Sequence, residues 1–391
     1  MGLAYMPATP VTISIVTPSY NQGSFIEETI RSVLSQEGDL FLEYLVIDGG
    51  STDQSLEIIR HYDQLVRTGA WPCKCLGITF QWVSEKDQGQ AHAVNKGLRK
   101  ASGDILGWIN SDDLYFPGAL QLVSEHFQGN PNDDFVFGDG DVIDEGGNVK
   151  WEWLSRPYNL KLLKSYHFLW NDFTNYIMQQ ATFWRRRVLD RIGFLDESLH
   201  YAMDVEYWIR AGQTGLVLTH LPVKLGKFRM ISGTKSLSSP LAFWPDMLEI
   251  FRRYNGASVM SRFFAEFLYS VGLHNGFDVI LMHQHCDRVF KRWKSLPEKE
   301  YEELKTKAKD GFDRACLMLS STAYDQGEDL KARVLFHQVI TSRLLLALHP
   351  IALLVLTKRL LGRRSLTLLN KIRDWMVMRY RRTRYLYRYQ S

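Results

Sequence analysis

Short runs of apolar and β-branched residues at Val11–Thr17, Tyr44–Asp48, Ile78–Ser84 and Asp104–Ile109 alternate with stretches of helical periodicity. This alternation restricts the fold more than any other feature of the 391 residues. Parallel strands cannot be joined by tight turns and need crossovers of about a dozen residues or more, usually a helix. The pattern therefore predicts an α/β domain with a mostly parallel sheet flanked by helices. Ser24-Phe25-Ile26-Glu27 has the spacing of a capping box and opens an amphipathic helix to about Gln36. Further helices are expected over about Gln90–Ala101 and after Pro117, and a short fifth strand at Phe135–Phe137. Asp139–Trp153 reads as a hairpin turning at Glu145-Gly146-Gly147-Asn148. A strand at Ala181–Trp184, a helix at Asp204–Ala211 and a strand at Leu216–Leu221 complete a first domain of residues 1–240. Residues 241–330 read as helices, and 331–391 as a basic amphipathic tail.

The formal charge of +4 conceals a split. From Lys331 onward there are 14 Lys and Arg against one acid, Asp374; the first 330 residues hold 33 basic against 42 acidic residues, a net of −9. A basic tail on an acidic body points to an anionic partner, a membrane surface or a nucleic acid. Cys73 and Cys75 are too close for an ordinary disulfide and lack neighbours to complete a zinc site, so reduced thiols and a cytoplasmic setting are expected. No basic flank with an apolar core opens the chain, so no signal peptide is expected. The longest apolar stretch, Leu344–Leu356, is broken by His349 and Pro350 and is shorter than the ~20 residues that span a bilayer.

Within the first domain, Asn110-Ser111-Asp112-Asp113 follows the fourth strand directly. In open α/β sheets ligands bind beyond the carboxyl ends of the strands, which suits an acidic pair there to a metal or a substrate. Asn-Ser-Asp-Asp is also good turn chemistry, and the pair alone leaves both readings open. No Gly-x-Gly-x-x-Gly or Walker-type loop occurs, so dinucleotide and P-loop readings lack their phosphate cradle.

Five motifs in order change the balance: Thr17-Pro18-Ser19-Tyr20-Asn21, Asp48-Gly-Gly-Ser-Thr-Asp53, Ser84-Glu-Lys-Asp87-Gln-Gly89, Ala93-Val-Asn95-Lys-Gly97 and Asn110-Ser-Asp112-Asp113. Over about residues 11–236 the chain resembles family 2 glycosyltransferases of the GT-A fold, single-sugar-transferring enzymes of bacterial type. The resemblance implies that Pro18 and Tyr20 cradle a nucleobase, that Asp48 accepts from a uracil or thymine imide N–H, and that Asp87 contacts base or ribose. Tyr20 can equally be a core aromatic, Asp48 an Asx-turn partner, and Asp53 a helix cap. It further implies that Asp112 faces the donor's ribose or sugar and that Asp113 binds Mn2+ or Mg2+, hard cations that neutralise a departing diphosphate.

Gln180-Ala181-Thr182-Phe183 and Tyr201–Arg210 resemble the family's acceptor-side segment, with Asp204 in the position of the catalytic base and Glu206 as its fallback. Asp204 also reads as a helix N-cap. Lys227–Ser236 resembles the segment that closes over the diphosphate, where Arg229 and Lys235 can meet phosphate oxygens or simply occupy a surface loop. Many relatives have His at the position of Ile231, a departure that removes one possible ligand.

The expected activity is metal-dependent, inverting transfer of a sugar from a nucleotide diphosphate donor, UDP or dTDP favoured, to a hydroxyl of a lipid-linked glycan or cell-surface polysaccharide precursor. An inactive nucleotide-sugar-binding or membrane-scaffold protein is the alternative. The tail, with Lys358, Arg359, Arg363, Arg364, Lys371, Arg373 and interleaved Trp375 and Tyr380, suits the surface of an anionic membrane at its cytoplasmic face better than a nucleic acid. A processive, membrane-embedded synthase is disfavoured, because Val289 stands where its Gln-x-x-Arg-Trp would begin.

Overall fold

A computed structural model describes residues 10–165, 177–231, 241–342 and six residues between 352 and 358. The chain divides into two compact units, Met1–Ile250 and Phe251–Ser391.

In the first unit β1 (Val11–Ser19) is flanked by β2 (Glu37–Asp48) and β4 (Ile105–Trp108), and β3 (Lys74–Ser84) lies outside β2, all parallel. This is the half of the sheet that the alternation predicts. Beyond β4 the sheet becomes mixed. β8 (Thr182–Arg185) inserts antiparallel between β4 and β6 (Phe135–Ile143), and β9 (Leu218–Arg229) runs parallel to β6. The two-residue β5 (Leu114–Tyr115) pairs with the far edge of β9. The expected hairpin forms from β6 and β7 (Val149–Trp153).

β1 is buried on both faces, and its alternate residues serve different layers. Ile13 and Ile15 share a core with Leu42, Tyr44 and Val46 of β2, with helices α1 (Ile26–Leu34) and α4 (Ala119–Gly129), and with Ile59 and Tyr62 of α2 (Ser55–Arg67). On the other face Val16 meets α3 (Gln90–Lys100) so closely that a Cβ on Gly97 would lie 2.3 Å from Val16 Cγ1. Glycine in a helix interior costs ~1 kcal/mol, and here it permits that approach of helix to sheet.

The capping box expected at Ser24 does not form. Phe25 occupies the N-cap position without a side-chain cap. The preceding loop is instead held by the β2–α2 turn, with Gly23 N–H donating to Asp53 and Gln22 N–H to Ser55. Asp53 also accepts from Ser55 N–H at the start of α2, the capping role open to it from sequence.

The second unit is helical: α9 (Met260–His274), α10 (Val279–Arg292), α11 (Glu298–Asp325) and α12 (Asp329–Ser342). Asp278 caps α10 by accepting from the N–H groups of Ile280 and Leu281. Lys358, counted above among the membrane-facing basic residues, is buried and donates to Asp325 and Ser321 of α11. Most of the tail lies outside the described residues. Among those described, no helix is long and apolar enough to cross a membrane.

Candidate active site

The carboxyl ends of β1, β2, β3 and β4 lie side by side, and the loops leaving them form one rim. Pro18 is buried within β1, opposite Ile47. Tyr20, just past the strand, is 60% exposed. Its neighbour Asn21 adopts a left-handed φ of 50° and is locked to the next turn, donating from N–H to Ser51 Oγ and accepting from Thr52 N–H. Pinning Asn21 in this way projects the Tyr20 ring from the rim instead of into the core.

Asp48 is fully buried. Its carboxylate accepts from Gly50 N–H at 3.0 Å, Ser51 N–H at 2.9 Å, Ser51 Oγ at 2.5 Å and Ser84 Oγ at 2.6 Å. This is the turn-partner arrangement that sequence left open, and it joins the ends of β2 and β3. Asp87 lies beside it on the next loop, partly exposed, with Oδ1 accepting from Gly89 N–H at 2.8 Å.

The acidic pair after β4 separates into two environments. Asp113 is fully buried: Oδ2 accepts from Gln180 Nε2 at 2.6 Å and Asn110 Nδ2 at 3.0 Å, and Oδ1 from the backbone N–H of Arg229 at 2.9 Å. Burial and the neighbouring charge of Asp112 push its pKa well above the usual carboxylate range. Asp112 is partly exposed, and no other described residue donates to its carboxylate. Burial raises its pKa too, against the opposing charge of Arg229. The resemblance placed the metal on Asp113, yet its oxygens point into a hydrogen-bonded wall, and Asp112 is the member of the pair with access to the rim. Asn110 extends the wall, accepting from Gln90 Nε2 at 2.7 Å and donating to Gln179 Oε1 at 3.2 Å. Gln90 and Gln179 were not singled out from sequence; their only signal was a place beside two of the motifs.

Arg229 does not stand where a phosphate contact was expected. Its guanidinium is fully buried, donating to the carbonyls of Asp112 and Glu145 and to Glu28 Oε2 at 2.6 Å, and it lies over the Phe25 ring. All three guanidinium nitrogens are engaged, so the residue braces the β4 loop against α1. Glu28 gave no sign of this partnership in sequence. Lys235 lies outside the described residues.

On the acceptor side, Asp204 and Glu206 fall in the first turn of α7 (Met203–Gln213). Asp204 is partly exposed and its Oδ1 accepts from Val205 N–H at 2.8 Å. Glu206 is buried and holds Arg210 through two hydrogen bonds, while Arg210 ties down the carbonyls of Ile192 and Phe194. The segment entering α7 is fixed by Asp246, which accepts from the N–H groups of His200 and Tyr201 at 2.6 and 2.7 Å. His200 in turn sits beside Gly89 at the head of α3, the helix whose Gln90 reaches Asn110. The start of α3 is thus the shared neighbour of the acidic loop and the approach to Asp204.

A divalent cation fits these residues in a limited sense. Asp112 supplies a desolvated carboxylate without a donor from another residue, and small hard cations are commonly held by one or two carboxylates together with substrate phosphates. Among the described residues no three His, Cys, Asp or Glu gather into a protein-only cage.

Comparison with known proteins adds a family to this geometry. The model of glycosyl transferase family 2 matches residues 14–193. An uncharacterised protein of Mycobacterium tuberculosis is 30% identical over 221 residues, covering 52% of this chain and 62% of that protein. Chondroitin synthase of Escherichia coli is 27% identical over 209 residues, covering 52% of this chain and 27% of the synthase. The chain therefore spans less than two thirds of the length of either relative. Among solved structures, S. aureus TarS 1–349, crystallised in complex with UDP-GlcNAc, aligns with a TM-score of 0.54 at 17% identity over 81% of this chain and 92% of that one, a likeness of fold.

Proposed function

Because residues 14–193 match the model of glycosyl transferase family 2 and the fold is like that of TarS 1–349, we propose that the chain moves one sugar, with inversion, from a nucleotide diphosphate donor to an acceptor hydroxyl. UDP- or dTDP-sugars are the favoured donors, and a lipid-linked glycan or polysaccharide precursor the favoured acceptor. The observation that carries this reading is the Asp112–Asp113 pair at the end of β4: one carboxylate is buried as a support, and the other is left desolvated without a donor from a neighbour.

In this reading Asp112, with Asp113 behind it, would hold Mn2+ or Mg2+, and such a cation would supply positive charge to the departing diphosphate. Tyr20 offers a flat, exposed face against which a base can stack. Asp204 takes the proton from the acceptor hydroxyl as the new glycosidic bond forms, the hydroxyl becoming acidic only in the transition state. Glu206, committed to Arg210, orders the start of α7. Gln180 holds Asp113 and contributes to the wall on the acceptor side. The basic tail places the enzyme on an anionic membrane surface, where such acceptors reside.

Incubation with a panel of nucleotide sugars and Mn2+, following release of UDP or dTDP, tests the proposal. Release above background from at least one donor, abolished in Asp112→Ala, is the expected result. Nucleotide binding without turnover by any donor would instead favour the scaffold alternative.

A further inference from the structure

Gly49 and Asp87 occupy each other's space at the rim, and this bears on which carboxylate meets the donor's base. A Cβ on residue 49 would lie 2.6 Å from Asp87 Oδ2 and 3.4 Å from the Tyr20 ring. The backbone does not demand glycine at 49. Its φ lies outside the left-handed region, unlike that of Gly50 at +85°. What position 49 lacks is a side chain, and the vacated volume is filled by the Asp87 carboxylate.

We infer that Asp87, seated over Gly49 beside the Tyr20 ring, is the acceptor that reads the ring N–H of a uracil-type base, and that Asp48 positions the rim without touching the donor. The inference rests on the nucleotide-diphosphate reading above and deepens it. Asp48 is fully buried and already accepts four hydrogen bonds, three of them at Oδ2, so a base N–H finds no access to it. Asp87 is partly exposed; Oδ1 is tied to Gly89 N–H, which orients the group, and Oδ2 has no donor among the described residues. A base stacked on Tyr20 would present its edge toward that oxygen. Uracil offers N3–H there, whereas cytosine offers a lone pair, which a carboxylate repels. The site should therefore separate UDP from CDP.

Calorimetric titration of UDP and of CDP in the presence of Mn2+ tests this on the full chain. Wild type should bind UDP at least about tenfold tighter than CDP, and Asp87→Ala should weaken UDP by about 10- to 100-fold, the range for a hydrogen bond to a charged group. Gly49→Ala, which displaces the Asp87 carboxylate while leaving it in the chain, should weaken UDP in the same direction. Gly49→Asp combined with Asp87→Ala should recover a substantial part of the loss, because a carboxylate from position 49 enters the same volume. Thermal melts within about 2 °C of wild type would show that the variants are folded. If UDP binds wild type and Asp87→Ala equally, or if CDP binds wild type as tightly as UDP, the inference is overturned while the glycosyltransferase reading stands. If wild type binds no pyrimidine nucleotide at all, both fall.

Discussion

The backbone N–H of Arg229 donates to Asp113 Oδ1 across 2.9 Å, joining residues 116 apart in sequence. Through this bond the last residue of β9 holds the loop after β4, and the Arg229 side chain returns to the same loop at the Asp112 carbonyl. The buried acid and the buried base form a frame that presents Asp112.

Asp112→Ala and Asp113→Ala should therefore fail differently. The first removes a partly exposed carboxylate that no other described residue depends on and should lower turnover by about 100-fold or more, close to 3 kcal/mol of barrier, with little change in stability. The second strands the Gln180, Asn110 and Arg229 donors and should cost about 3 kcal/mol of folding free energy as well as activity. Urea denaturation alongside initial rates separates the two; equal stability losses would refute the division of labour.

Replacing Arg229 should behave as the loss of a brace. Arg229→Lys cannot span the Asp112 and Glu145 carbonyls and Glu28 together, and should destabilise by about 2–4 kcal/mol. A variant with wild-type stability but weaker UDP binding would point instead to a phosphate contact.

Asp204→Asn should reduce kcat by at least about 100-fold while leaving UDP affinity unchanged, since a base acts on the acceptor and not on the nucleotide. Glu206→Gln should lose about 1–2 kcal/mol of stability through its weakened hold on Arg210, with a smaller effect on kcat. A larger kcat loss in Glu206→Gln than in Asp204→Asn would reverse the assignment.

The raised pKa values of Asp112 and Asp113 fix the sign of a pH effect. Between the unfolded carboxylate pKa of about 4 and the raised folded values, the folded state retains protons that the unfolded chain has released, so the contribution of these groups to stability is present at low pH and declines as pH rises through their folded pKa values. A cation at Asp112 favours the ionised form. The rise in Tm produced by Mn2+ with UDP should thus be larger at pH 7.5 than at pH 5, and Asp112→Ala should abolish the difference. A shift that does not depend on pH would argue against a cation on this carboxylate.

Replacing Arg381, Arg382 and Arg384 by Glu should reduce co-sedimentation with anionic vesicles by about 100-fold or more, given roughly 1 kcal/mol per basic residue near the surface. Unchanged sedimentation would remove the tail from membrane binding.

The β-α alternation, the order of the first four strands' segments and the clustering of polar motifs at strand ends were legible in the sequence. They depend on periodicity over a few residues, and local sterics and burial express that periodicity directly. Other features depended on partners that lie far away along the chain. β8 slips between β4 and β6 through antiparallel register, and no local pattern specifies its neighbours. Asp48, Asp113 and Arg229 carry charges that suggested contact with a ligand, yet each is enclosed by donors or acceptors from neighbouring loops and strands. Lys358 reads in sequence as one of the basic residues that meet an anionic membrane, yet in the fold it is buried in an ion pair with Asp325. By itself the sequence determined where carboxylates gather, because strand ends and turns are written locally. Only the tertiary structure decided which of them open toward a ligand, because adjacent residues face opposite ways and the burial of each depends on what packs against it from elsewhere in the chain.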